Sequence, residues 1–334
     1  MWCTHADAFS MDTRMFEWID SNNNVILPSN YSQTLGCGSG LNLPLTLKIT
    51  LPNIKVHSWY GNPNESLETN LVKTYKIGTM GICFAKPNSL DWWGSEKPSS
   101  TEGGGYTSDF DPVNGFKVSA NPKFPTTGFS GAEFTLVMIG NPTDYTFTHN
   151  GGSAVTVDGT TGKVTLNSKP SGPVTIEARY NNAPPTAQPD EYTFDPRTVW
   201  VVPKGFARMT YETTKTECGT GVIDGVANTL KIPTRVQLTN SPLNNLGMGE
   251  MIITNYYTRA VGGGVFGEWG LTSGLIASSN YPDSQWNSSN YWTRDPWSSS
   301  VQFGVNSRNG FIYYNIFASI PNVVDNNLYV ACLE

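Results

Sequence analysis

Two cysteines bracket the last third of this 334-residue chain, and their separation limits what it can fold into. Cys218 follows a short polar segment, Thr210 to Thr216, long enough for about two helical turns. Cys332 ends the alternating run Leu328-Tyr329-Val330-Ala331, close to the last residue. A bond between them would pin the final strand to the first helix and close a loop of on the order of a hundred residues. Chain entropy values such a closure at roughly 4–5 kcal/mol. The five cysteines include no Cys-x-x-Cys pair, and three scattered histidines cannot complete a zinc site. Their wide spacing fits a secreted, disulfide-bearing protein. Regional pairing predicts Cys37–Cys83 early in the chain and Cys218–Cys332 at its end, with Cys3 left over. A reduced protein with five buried thiols is the alternative.

The chain is longer than one hydrophobic core normally grows, so several domains are expected. Only 14% of its residues are charged, and Gly, Pro, Asn, Ser and Thr separate short Val/Ile/Thr/Tyr runs. That pattern reads as all-β modules with tight turns. A net charge of −6 leaves no excess of Lys or Arg for phosphate, which excludes nucleic acid as the expected partner. No apolar run approaches the roughly 18–20 residues of a membrane-spanning helix.

In order, Leu45 to Leu51 alternates strictly and reads as a strand, followed by candidates at 53–60, 74–77 and 80–84. Residues 1–122 are expected to form an all-β, Ig-like domain. Glu133–Met138, Asp144–Thr148, the hairpin 154–166 and Pro173–Arg179 make a second module, 123–182, with Asp158-Gly159 supplying the turn. Residues 183–334 open with strands at 192–194 and 198–202. Thr234 is placed to cap a second helix after Pro233. Strands at 300–305 and 311–316 meet at Asn309-Gly310, a strong hairpin signal. Two helices, a hairpin and a closing strand beside the opening one fit a C-type lectin-like fold. The expected class is therefore mainly β: tandem Ig-like sandwiches, then a lectin-like α+β domain.

The run "VTVDG…GKVTL…GPVTIEA" resembles the Ig-like repeats of the intimin/invasin family of bacterial adhesins. "IPTRVQL" from Ile232, "GEWG" from Gly267, "YWT" from Tyr291 and "LYVAC" from Leu328 follow in that family's order. The resemblance implies an exported rod of Ig-like domains tipped by a lectin-like domain that binds a host-cell protein or glycan. It also implies an outer-membrane anchor, a barrel absent from this chain, and no cofactor, metal or catalysis. Cys218, Cys332, Trp269, Tyr291 and Trp292 are architectural in it. The family's integrin-engaging aspartates map onto no numbered position, and Arg-Gly-Asp does not occur.

An enzyme is the first rival. No Gly-x-Ser-x-Gly elbow is present, and His5, His57 and His149 all lie before the last domain. A structural or self-associating stalk without a receptor is the second. Gln188-Pro189-Asp190 matches a calcium-lectin tripeptide, but its Trp-Asn-Asp partner is missing, so it is read as incidental. The expected receptor surface is the Ser/Asn-rich stretch 271–300, which holds Tyr281, Trp286 and Trp297 beside Asp283 and Asp295. Exposed aromatics on one loop mark interfaces. The same rings can instead fold back over a small core, and both readings stand at this point.

Overall fold

The computed structural model describes residues 16–19, 25–26, 46–50, 70–73, 81–90, 103–181, 188–243, 256–272, 280–299, 301–315 and 327–334. Four short strands come first: β1 (Phe16–Ile19), β2 (Val25–Ile26), β3 (Thr46–Thr50) and β4 (Asn70–Lys73). They pair antiparallel in the order β2-β1-β3-β4. The strands expected at 53–60 and 74–77 lie outside the described residues.

A two-sheet sandwich follows. Its strands are β5 (Ile82–Pro87), β6 (Phe110–Asp111), β7 (Gly115–Lys117), then, past β8 (Thr127–Gly128), β9 (Ala132–Met138) and β10 (Tyr145–His149). β11 (Val155–Val157), β12 (Lys163–Leu166), β13 (Val174–Tyr180) and β14 (Asp190–Phe194) complete it. One sheet runs β11-β12-β9-β5-β7-β6 and the other β10-β13-β14. Period-two alternation turns Val174, Ile176 and Ala178 inward and leaves Glu177 exposed. They meet Phe134, Leu136, Val164 and Tyr192 in the interior. The 155–166 hairpin is present, but positive φ falls on Gly162 (70°) and not on Asp158-Gly159. The Asp158 carboxylate accepts from Thr160 N (2.7 Å) and Thr161 N (3.2 Å), which closes a longer loop than a two-residue turn.

The divisions expected at 122/123 and 182/183 fall inside this sandwich. β5 pairs with β9 along five positions, and β14 pairs with β13 from Val174↔Phe194 to Ala178↔Asp190. The strand expected to open the last domain at 192–194 thus belongs to the preceding sheet. Asp190 is engaged there too: its carboxylate accepts from the backbone N–H of Gly81 and of Ile82.

The last domain contains β15 (Val199–Met209), α1 (Tyr211–Cys218), β16 (Thr220–Ile223), β17 (Val226–Leu230), α2 (Arg235–Leu238) and α3 (Gly264–Trp269). It ends with β18 (Asn290–Ser298), β19 (Val301–Asn306), β20 (Ile312–Asn315) and β21 (Leu328–Leu333). The sheet order is β20-β19-β18-β21-β15-β8, so β8, from the sandwich side, adds an edge strand parallel to β15. Thr210 caps α1 by accepting from Thr213 N (3.2 Å). Thr234 caps α2 reciprocally, with Gln237 N donating to its hydroxyl and its own N–H donating to Gln237 Oε1 (2.8 Å). β19 and β20 turn at Gly310, whose φ is 69°. Cys218 is bonded to Cys332 with Cα atoms 5.3 Å apart. Cys83, on β5, is also disulfide-bonded; its expected partner Cys37 lies outside the described residues, as does Cys3.

The sandwich and the last domain share one core. Trp269, fully buried, lies 4.9 Å from the Phe124 ring and 5.4 Å from Phe129, and its indole donates to Thr127 Oγ1 (3.0 Å). Beside it Glu268 is buried, and among the described residues no cation bonds its carboxylate. That carboxylate accepts from the backbone N–H of Thr126 (3.0 Å), Thr127 (2.9 Å) and Gly262 (2.8 Å). The Thr126 and Thr127 hydroxyls donate as well, at 2.6 and 2.7 Å. Burial pushes the Glu268 carboxyl up, and the hydrogen bonds from Thr126, Gly262 and Thr127 oppose that shift without cancelling it. A buried carboxylate is tolerated only when donors surround it, so the last domain is locked onto 126–127. Arg259 adds a second tie: its guanidinium donates to Ser89 O (2.8 Å) and Glu268 O (2.8 Å) and lies 4.7 Å from the Phe110 ring.

Candidate functional site

The aromatic stretch expected at the surface divides between core and surface. Tyr281 is fully buried, edge-on to Phe129 (5.4 Å) and Trp269 (5.8 Å), and its hydroxyl donates to Trp269 O (2.7 Å). Burial raises its phenol. Trp286 is buried among Phe266 (5.2 Å), Tyr291 (4.8 Å) and Phe129 (5.8 Å). Neither ring offers a face to a partner in this fold. The reason is long-range: Phe129, on the sandwich side, supplies an apolar wall that a Ser/Asn-rich loop would otherwise lack. Asp283 is exposed, with its backbone close against Gly131, where a Cβ would sit 2.6 Å away. Residues 273–279 and Ser300 lie outside the described residues.

Asp295 and Trp297 sit together at the opposite end of β18. Trp297 keeps half of its surface exposed (50%) and meets Phe303 edge-on at 5.5 Å. Asp295 is half-buried, and its carboxylate accepts from Arg235 N at the start of α2. The Arg235 guanidinium lies 6.0 Å from the same Phe303 ring. Arg294 fastens β18 to the neighbouring connection, donating from its backbone to Pro233 O (3.0 Å) and from its side chain to Leu230 O (3.2 Å).

Exposed apolar side chains concentrate in the last domain. Of the eight large hydrophobics exposed among the described residues, Val222, Val226, Val236, Leu243 and Trp297 are in the last domain. Val222 and Val226 stand on the β16–β17 hairpin, which the sequence reading missed although Asp224-Gly225 is a hairpin signal. Both turn residues have positive φ, 51° and 77°. α3 was missed too; the "GEWG" stretch closes this short helix, every residue of which is buried. Among the described residues no three His, Cys, Asp or Glu side chains converge as a metal site. The surface at the end of β18 thus combines Trp297, the Arg235 guanidinium and the adjacent, exposed Val236, which suits docking.

Residues 108–194 match the family model described as invasin, domain 4. No curated protein matches. Among solved structures, the fold is similar to that of invasin, a bacterial integrin-binding protein, at 18% identity and a TM-score of 0.51. That likeness covers 86% of this chain and 44% of the invasin chain, so this chain spans less than half of that structure. An intimin mutant from EHEC O157:H7 is 21% identical over 68% of this chain and 93% of its own, with a TM-score of 0.37. A C-terminal intimin fragment in complex with the intimin-binding domain of the translocated intimin receptor is 21% identical, over 68% and 62%, with a TM-score of 0.41. Residues 108–194 thus match invasin domain 4, and the chain shares the invasin fold, with Ig-like modules leading into a lectin-like domain.

Proposed function

We propose that this chain is the receptor-presenting part of a bacterial surface adhesin, anchored in the outer membrane through a segment outside this sequence. Its Ig-like modules hold the lectin-like domain away from the bacterium, and the end of β18 meets a host-cell surface protein. The observation that carries this reading is the domain 4 match leading directly into a domain that leaves Trp297 half exposed beside Arg235 and Val236. A stalk without a receptor has no use for an exposed tryptophan, which costs solubility. Tryptophan and arginine are the usual anchors of protein interfaces.

Attachment of the full chain to cultured host cells tests the reading. Trp297→Ala is expected to weaken attachment at least tenfold, about 1.4 kcal/mol. Its melting temperature should stay close to the parent's, because half of the ring is exposed. A Trp297→Ala chain that attaches as well as the parent places the receptor surface elsewhere; one that unfolds early makes the ring structural.

A further inference from the structure

We infer that Arg235 is the anchor for a carboxylate on the partner, so that the partner is a protein presenting an Asp or Glu beside an apolar side chain. The inference rests on the adhesin reading above and names the chemistry of its receptor. Arg235 starts α2, and its backbone N–H is taken by Asp295. Its guanidinium is placed over Phe303, 6.0 Å from the ring centre, while Trp297 meets the same ring at 5.5 Å. Among the described residues no carboxylate comes within salt-bridge reach of that guanidinium. A planar fork of five donors, oriented by an aromatic and left without an acid, matches a carboxylate in two-point geometry.

The surroundings choose the source of that carboxylate. Val236, next in the chain, is 57% exposed, and the half-exposed Trp297 packs on the same Phe303 ring as Arg235. An apolar side chain beside the partner's acid fills this surface. A glycan acid would bring hydroxyls against it, and Asp295, the adjacent carboxylate, is already engaged by the helix.

Attachment of the full chain to cultured host cells, read at several salt concentrations, tests the anchor. Arg235→Glu is expected to lose at least tenfold in attachment, and Arg235→Lys to fall between it and the parent, since an ammonium cannot form the paired bonds. Rising salt should weaken the parent more than Arg235→Gln, because only the parent keeps the charge. Arg235→Gln retains the Thr234–Gln237 cap, so it separates loss of charge from loss of the helix. Sialidase treatment of the cells should leave attachment unchanged, and protease treatment should abolish it. Unchanged attachment by Arg235→Glu overturns the inference, and so does loss of attachment after sialidase. A parent chain that attaches to no cells at any salt defeats the adhesin reading itself.

Discussion

The two ends of the last domain use the same residue types for opposite ends. At the sandwich end, Trp269, Tyr281 and Trp286 are buried against Phe124 and Phe129, and Glu268 has a donor for every lone pair that faces 126–127. At the far end, Trp297 is half exposed and Val236 exposed, and no acid among the described residues reaches the Arg235 guanidinium. A second, smaller core of Tyr211, Ile232, Trp292, Phe311, Leu328 and Val330 lies around the Cys218–Cys332 bond. Recognition belongs at the end where an aromatic stays half exposed and, among the described residues, a guanidinium meets no acid. Composition cannot make that distinction, because both ends draw on Trp, Tyr and single charges.

Paired tryptophans break the comparison most directly. Trp286→Ala is expected to cost about 3–5 kcal/mol, the usual range for emptying a buried aromatic site. Thermal or denaturant unfolding of the full chain reads this, and the loss should far exceed that of Trp297→Ala. Equal, small losses from both substitutions would mean that the sandwich end is no more tightly built than the far end.

Glu268→Gln comes next, and it keeps the side-chain volume. Whichever way the amide turns, its NH2 faces Thr126 together with either Thr127 or Gly262, all donors. At least one backbone N–H, of Thr127 or of Gly262, then loses a charge-assisted bond, worth about 1.5–3 kcal/mol. The expected result is a melting temperature lowered by several degrees with the far end intact. An unchanged melting temperature would show that the carboxylate does not hold the two modules together.

What was legible in the sequence was local. The cap at Thr234 lies three residues from the group it bonds, and Asn309-Gly310 sits inside the hairpin it turns. The Cys218–Cys332 pair was accessible because each cysteine ends a recognisable element. The module limits were not, since β5 finds β9 across some fifty residues and β14 belongs to the sheet before it. Glu268 was hidden because its partners, Thr126 and Thr127, lie 142 and 141 residues upstream. Tyr281 and Trp286 read as surface groups for the same reason: their Ser/Asn-rich neighbours suggest water, and the wall they pack on comes from Phe129.

The smallest effect sharpens the electrostatic side of the comparison. Glu133, on β9, is nearly buried like Glu268, yet it has a cation: Lys163 donates to it at 2.9 Å, and Asn88 does so at 2.9 Å. Burial lifts the Glu133 carboxyl, but the bonds from Lys163, Asn88 and Thr165 and the Lys163 charge outweigh it and hold the group below its ordinary value. A lowered carboxyl contributes stability that is present above the unfolded value, about 4.3, and lost as pH falls through the folded one. The raised Glu268 carboxyl does the reverse, its contribution being complete below the unfolded value and lost as pH rises through the folded one. Lys163→Met removes the charge that favours ionised Glu133. Because Lys163 is 43% exposed, the loss at neutral pH should be no more than about 1 kcal/mol. The penalty should shrink on acidification, as the parent gives up the same contribution when Glu133 is protonated. Melting curves of the two chains between neutral pH and pH 3 are therefore expected to converge. If they stay parallel, the lysine acts through packing alone; if they diverge in acid, the sign assigned to Glu133 is wrong.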